Sequence, residues 1–400
     1  MSKKVATLPN WFWPEGVARS IGIPPLFLDE LLVERWADET PQKVAFITQS
    51  EEYTYQRLRE VVNRGARNID ELCRSNGNRV LIVEESPATS LLLLLSAWKA
   101  RCFVCLLHPE QISLASRFAP NVVISSAHKP HDNVAITQPE AIFTESADQP
   151  IEGRCELRHR SVAMPSIDGF LVFHSHYSLA AGILALVTFL EIPQQLRVVV
   201  ANHPTTWHGL YSALLAMYQG GTAIVNATSS AQSLVQNMLN FDGEALFVTP
   251  EQAGELISEV GPRQRRELRE KAKWVVMAIE SAFSARVRES LRNLFRRPII
   301  TLFGMPETGP AIATHPSWYV TESAGIPITN VELRPVDPKS REPIEVPWEL
   351  LEYAGVEIKA SHLMVEYDDP KITSQRLRRR WFFNGLLAMM DANGLYYLLD

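Results

Sequence analysis

Residues 300–314 read ITLFGMPETGPAIAT. An apolar run enters a loop that holds one carboxylate, Glu307, directly after Pro306. Proline has no backbone N–H, so position 306 cannot donate a hydrogen bond. PIITLFG reads as a strand, and the segments before it repeat one theme. KWVVMAI, ALFVT, GTAIVN, LRVVVAN and GFLVF read as strands, with helical patterns such as GLYSALLAMYQ and SLAAGILALVTFL between several of them. Further upstream, NRVLIVEES, CFVCLL and VVISS read as strands, and ATSLLLLLSAWKA reads as a buried helix. KVAFITQSEEYTYQRL reads as a strand, a polar turn and a helix from about Thr54. PPLFLDELLVERWADE, residues 24–39, places Phe27, Leu28, Leu31, Leu32 and Trp36 on one helical face. The alternation predicts parallel sheet covered by helices, an α/β fold.

Residues 127–167 read as polar and irregular. From about residue 325 long helical patterns stop, and VELRPV, VEIKASHLMVEY and GLYYLLD predict a smaller β-rich module. The resulting division is a tail at 1–20, a first αβ unit at 21–167, a second at 168–324, and a small β-rich unit at 325–400.

The chain has 400 residues, which favours more than one sub-core. Its apolar content is 46% and its net charge −6, a balance that argues against nucleic-acid binding. The N-terminus lacks the apolar segment of a secretory signal. The run Leu91–Leu95 is too short to cross a bilayer, and a cytoplasmic location is expected. Cys102 and Cys105 form a CxxC in a strand-like run, which fits apolar packing better than redox or metal chemistry. RQRRELREKAK at 263–273 mixes both charges at helical spacing and reads as a solvated helix face. RLRRR at 376–380 reads as a solvated loop, with an acidic partner as the alternative.

Read in order, these segments resemble the AMP-dependent synthetase and ligase superfamily, whose members form acyl-adenylates. PQKVAFIT…YTYQRLREVVNRGARNI resembles the family's opening, FGMPETGPAIA its adenine-site motif, and AGIPITNVELRPVDPKSREPI and WFFNGLLAMMDANGLYYLLD its later motifs. The resemblance implies two packed αβ sheets, a small C-terminal β-barrel, and a site among the three. It also implies that a mobile C-terminal catalytic domain, which carries the adenylation Lys, is missing beyond Asp400.

Position by position, the resemblance puts ATP chemistry in doubt. The family's phosphate loop, of the form TSGTTG.PKG, lies between a strand and a segment like HSHRSL. Here GFLVF runs straight into HSHYSLAAGI, and about a dozen residues are absent on that alignment. Ile279, Glu280 and Ser281 stand where the family has bare Gly-Gly-Ala backbone. In FGMPETG, Gly304 and Thr308 flank Pro306, which replaces a phosphate-facing Thr, and Glu307 takes the metal-binding position. Asn384, Gly385 and Leu386 stand for the family's Thr-Gly-Asp, so Leu386 replaces the carboxylate that grips ribose. Trp207, His208 and Gly209 resemble part of the family's acyl-pocket segment; with Phe303 they either line a residual pocket or belong to the core. His174 and His176 flank Ser175 as packing or solvated residues, and His203 and His208 bracket the PTTW segment.

The reading is therefore a non-catalytic, adenylation-like protein with no confident catalytic residue and no cofactor. It is expected to bind a biosynthetic enzyme, an acyl carrier protein, or an acyl or aryl ligand. One alternative is a ligase with a rearranged or subunit-completed site, using ATP and Mg. Another is a ligand sensor that uses the former acyl pocket.

Overall fold

The computed structural model describes residues 12–126, 134–145, 149–225, 229–318, 320–344, 351–391 and 393–399. Residues 1–11 of the expected tail, Asn226 of GTAIVN and Asp400 lie outside them. Three sheets carry the fold. The nine-stranded sheet runs Ile326–Pro327, Gly309–Ala313, Ile299–Met305, Trp274–Ile279, Ala245–Val248, Arg197–Val200, Thr222–Val225, Val44–Ile47 and Glu52–Thr54. Its six strands from Ile299–Met305 to Val44–Ile47 pair parallel, and its edges are antiparallel. The seven-stranded sheet runs Glu366–Tyr367, Leu171–Ser175, Arg160–Pro165, Phe103–Leu107, Arg79–Val83, Val122–Ser125 and Ala135–Thr137. A third, six-stranded antiparallel sheet is built around Leu351–Ala360.

The local reasons for these elements are plain in the sequence. Buried parallel strands such as RVLIV at Arg79–Val83 are continuous aliphatic runs because helices cover both faces. The helix Pro87–Lys99 starts where the Ser86 hydroxyl accepts from the Thr89 N–H, with Pro87 at the first turn. The helix His176–Leu190 starts in a reciprocal cap between Ser175 and Ser178. The largest core joins both parallel sheets: Val80, Ile82 and Val104 from one meet Phe46, Val198 and Ile300 from the other, through Leu93, Trp98, Phe189 and Leu214 of the helices between.

Four readings of the sequence change. The stretch 127–167 contains strands Ala135–Thr137 and Arg160–Pro165 and the short helix Pro139–Ile142. The polar turn after Ile47 holds a strand, Glu52–Thr54. The sheets do not divide at 167/168: Val44–Ile47 pairs with Thr222–Val225, while Leu171–Ser175 joins the sheet of the first segment. Two strands of the β-rich region also leave it, Ile326–Pro327 for the nine-stranded sheet and Glu366–Tyr367 for the seven-stranded one. Cys102 and Cys105 sit three apart in extended chain, so they enter different cores. Both are buried, and Cys102 Sγ meets Cys73 Sγ at 3.6 Å.

Candidate functional site

The site expected from the sequence is a seam between a hairpin of the seven-stranded sheet and a hairpin of the nine-stranded one. Arg160–Pro165 and Leu171–Ser175 pair antiparallel around the turn Ser166-Ile167-Asp168-Gly169. The Ser166 hydroxyl accepts from the Phe170 N–H at 3.1 Å, and Gly169 takes φ +76, where glycine carries no steric cost. This corrects the alignment of the missing loop. The chain that enters the turn is RSVAMP; LVFHS is the strand that leaves it and runs into the helix. The turn between RSVAMP and the strand that runs into HSHYSL thus has four residues and no lysine.

Across the seam, Ile299–Met305 and Gly309–Ala313 form the second hairpin, with Pro306, Glu307 and Thr308 at its tip. Glu307 is only 4% exposed. Its Oε1 accepts from the Tyr367 hydroxyl at 2.8 Å. Arg376 Nη1 donates to the Tyr367 oxygen at 3.1 Å and pairs with Asp168 Oδ2 at 2.6 Å. A continuous chain therefore runs Asp168–Arg376–Tyr367–Glu307, from the turn of one hairpin to the tip of the other. RLRRR divides: Arg376 closes a short helix and pairs with Asp168, while Arg378, Arg379 and Arg380 are exposed, as the solvated-loop reading expects. Burial raises the Glu307 carboxyl above its ordinary range, against the pull of the Tyr367 hydrogen bond. Burial also raises the Tyr367 phenol.

Two histidines bracket the tip. His174 Nε2 donates to the Pro306 carbonyl at 2.6 Å, and its Nδ1 faces the Ser178 hydroxyl at 3.2 Å. His362 Nε2 donates to the Pro310 carbonyl at 2.7 Å. Burial lowers both to about 4, so both are neutral at pH 7. The Met364 N–H closes the set by donating to the Glu307 carbonyl at 2.8 Å.

Ile279 pairs in register with Phe303, which brings the next position, Glu280, to the same edge as Gly304. Trp207 Nε1 donates to Glu280 Oε1 at 2.7 Å, and burial raises the Glu280 carboxyl, assisted by the charge of Glu307. Trp207 is fully buried and lies against Gly304: a Cβ there would stand 2.7 Å from its ring and 2.6 Å from the Gly309 carbonyl. Phe303 is fully buried as well. His208 is half-buried, desolvation lowers its imidazole to about 4, and among the described residues its Nδ1 has no hydrogen-bond partner. Gly209 lets the helix Trp207–Tyr218 approach the chain at 202–203, where a Cβ would meet the His203 carbonyl at 2.3 Å. His203 Nε2 faces the Ser90 hydroxyl at 3.2 Å. His176 packs in the core against Phe27 and Trp98.

Thr308 is buried, with its hydroxyl donating to the Gly309 carbonyl at 2.9 Å. Leu386 is half-buried; its N–H donates to Asn384 Oδ1, and the Asn384 amide reaches Met305 Sδ at 2.9 Å. The fold thus collects Ile279, Glu280, Phe303, Gly304, Pro306, Glu307, Trp207 and Leu386 about one seam. Sequence reading missed Asp168, Tyr367, Arg376, His174 and His362 as its binding elements. Among the described residues no group of three or more His, Cys, Asp or Glu is placed to hold a metal. The cavity of about 530 Å³ lined by Arg79, Arg101, Phe103 and Arg160 lies at the opposite edge of the parallel strands.

Residues 171–351 match the AMP-binding enzyme family. No curated protein matches the chain in sequence. Among solved structures, o-succinylbenzoate CoA synthetase from Bacillus subtilis in complex with ATP and magnesium superposes with a TM-score of 0.80 at 16% identity, over 92% of this chain and 79% of that one. ATP-bound MatB from Rhodopseudomonas palustris gives 0.80 at 16%, over 94% and 79%. A long-chain-fatty-acid-CoA ligase from Archaeoglobus fulgidus gives 0.80 at 14%, over 96% and 86%. The chain has the fold of the adenylate-forming large domain with a small β-rich region, and a matched AMP-binding segment lies within it. No helix among the described residues is long and apolar enough to cross a membrane.

Proposed function

We propose that this protein keeps the adenylate-forming fold without its ATP chemistry, and serves a biosynthetic pathway by binding a partner enzyme, a carrier protein, or an acyl or aryl ligand. The observation that carries the reading is the chain Asp168–Arg376–Tyr367–Glu307. A triphosphate needs uncommitted donors and positive charge. Here the one guanidinium of this chain is neutralised by Asp168, and the two carboxylates Glu307 and Glu280 face the seam. The turn that would cradle phosphate has four residues and no lysine, and Pro306 offers no N–H. Removing one preorganised donor costs on the order of 10²–10³ in rate, and here several are gone together. Isothermal titration with Mg-ATP and pyrophosphate exchange over a panel of carboxylates test this. No heat of binding and no exchange are expected; tight binding with turnover would reject the reading.

The second reading is a ligase with a rearranged or subunit-completed site that uses ATP and Mg. Glu307 favours it, because the residue retains the hairpin-tip position within the matched segment. Activity that appears only on mixing with a second subunit would establish it. A sensor function would show instead as ligand-dependent thermal shifts without nucleotide.

A further inference from the structure

Charge is distributed very unevenly along this chain. Residues 261–298 hold eleven Arg and Lys against four Glu, a net of +7 in a protein whose total is −6. They form the adjacent helices Pro262–Lys271 and Ala285–Phe295 on the outer side of the nine-stranded sheet. The fold uses some of these cations internally. Arg288 is fully buried and donates to the carbonyls of Ile299, Val320, Thr321 and Ser323. Arg265 donates to the Val260 and Ile257 carbonyls, and Arg269 to those of Leu294 and Asn293, which ties the two helices together. Lys271 and Lys273 pair with Asp242 and Glu244.

The rest point outward. Arg263, Arg266 and Arg292 pair with glutamates one turn away on their own helices, but those pairs are exposed and hold their arginines weakly. Among the described residues no carboxylate lies within ion-pair distance of Arg286, Arg296 or Arg297, and all three are exposed. Arg292, Arg296 and Arg297, with Asn293 and Pro298, line a surface groove of about 540 Å³ at the end of the second helix.

We propose that this two-helix arginine face docks an acidic protein partner. The face is short: helices of ten and eleven residues span roughly 15 Å each. A nucleic-acid duplex would run off it onto a remainder of the chain that carries −13. No aromatic ring stands exposed on it for base stacking. The most exposed large apolar side chains, Leu26, Ile136, Ile167 and Tyr353, all lie elsewhere, so nothing here inserts into a bilayer. A compact acidic surface matches both the size and the charge. This proposal is independent of the fate of the nucleotide seam.

The test uses a fluorescein-labelled helical peptide with glutamate along one face as the probe, read by anisotropy at about 50 and about 300 mM salt. Low-salt binding is expected, with strong weakening at high salt. Arg292→Glu/Arg296→Glu/Arg297→Glu should weaken it by about tenfold or more. The milder Arg292→Gln/Arg296→Gln/Arg297→Gln should give an intermediate loss, so a misfolded reversal variant does not decide the outcome. Lys339→Glu/Lys371→Glu, on the β-rich region, should leave binding within about twofold. No binding of the peptide, or binding indifferent to the arginines, would overturn the proposal. So would tighter binding of duplex DNA or phosphatidylserine vesicles through the same arginines.

Discussion

The seam around Glu307 and the arginine face handle charge in opposite ways. In the seam, ionisable groups are matched against one another: Glu307 with Tyr367 and His174 and His362 with carbonyls in its interior, Arg376 with Asp168 at its half-exposed rim. On the arginine face, like charges accumulate outward with few carboxylates between them. The first arrangement leaves little for a ligand to satisfy, and it ties the seam's integrity to protonation. The second costs little in stability and is indifferent to pH below the arginine range. The contrast can be broken at either end.

Acid should break it most. His174, His208 and His362 are held near 4 and His176 near 3, all by burial, against about 6.5 in the unfolded chain. Between those limits the unfolded chain takes up protons that the folded one refuses. Stability is therefore present above about pH 6.5 and falls as pH drops toward 4, by up to the order of 3 kcal/mol per histidine. Glu307 and Glu280 act oppositely: their raised folded values mean that acid relieves them. The histidines set the direction of the profile, and their loss is large against a total stability of about 5–15 kcal/mol. Urea titrations stepped from about pH 7 to about pH 5 should show a falling free energy of unfolding. A flat profile would mean that water reaches these rings. Peptide binding by the arginine face should persist for as long as the protein stays folded.

One arginine crosses the divide. Arg288 sits on the same helix as Arg292 but points inward, at 0% exposure, onto four backbone carbonyls and the Thr314 hydroxyl. Arg288→Met should cost about 3–5 kcal/mol, because those acceptors lose their donor inside the core. Arg292→Met should stay within about 0.5 kcal/mol. Equal effects on the unfolding midpoint would erase the inward–outward distinction.

Much of the fold was legible because apolar runs are local. RVLIV, FVCLL and IITLFGM announce buried strands by composition alone. The caps Ser86, Ser175 and Thr249, which the sequence reading did not use, fix where three helices start. The strand Arg160–Pro165 was hidden by its basic start and by the polar stretch before it. That miss displaced the turn 166–169 by a whole strand in the sequence reading. The site was legible only in part. Glu307, Glu280 and Trp207 could be singled out by position, but their partners could not. His174 meets Pro306 across 132 residues, and Tyr367 meets Glu307 across 60. No spacing rule connects such pairs; the meeting of two hairpins does.

Gly304 offers a smaller lever on the seam. An added Cβ would stand against a backbone carbonyl and against the ring of Trp207, which Glu280 holds in place. Neither neighbour can swing away cheaply, so Gly304→Ala should cost about 1–3 kcal/mol. A thermal midpoint unchanged from wild type would show that Trp207 has room to move.

The subtlest test concerns the hydrogen bond between Tyr367 and Glu307. Tyr367→Phe removes both the donor to Glu307 and the acceptor for Arg376, and should cost about 1–3 kcal/mol. Glu307→Gln removes the desolvated charge while keeping a hydrogen-bonding oxygen, so its cost should be smaller. Combined, the two changes should be less than additive, because each disrupts the same chain; a coupling of about 0.5–1 kcal/mol is expected from urea midpoints. Additivity within about 0.3 kcal/mol would mean that the two hairpins hold together without this bond. Charge closure of the seam would then rest on Arg376 and Asp168 alone, a half-exposed pair that solvent screens far more readily.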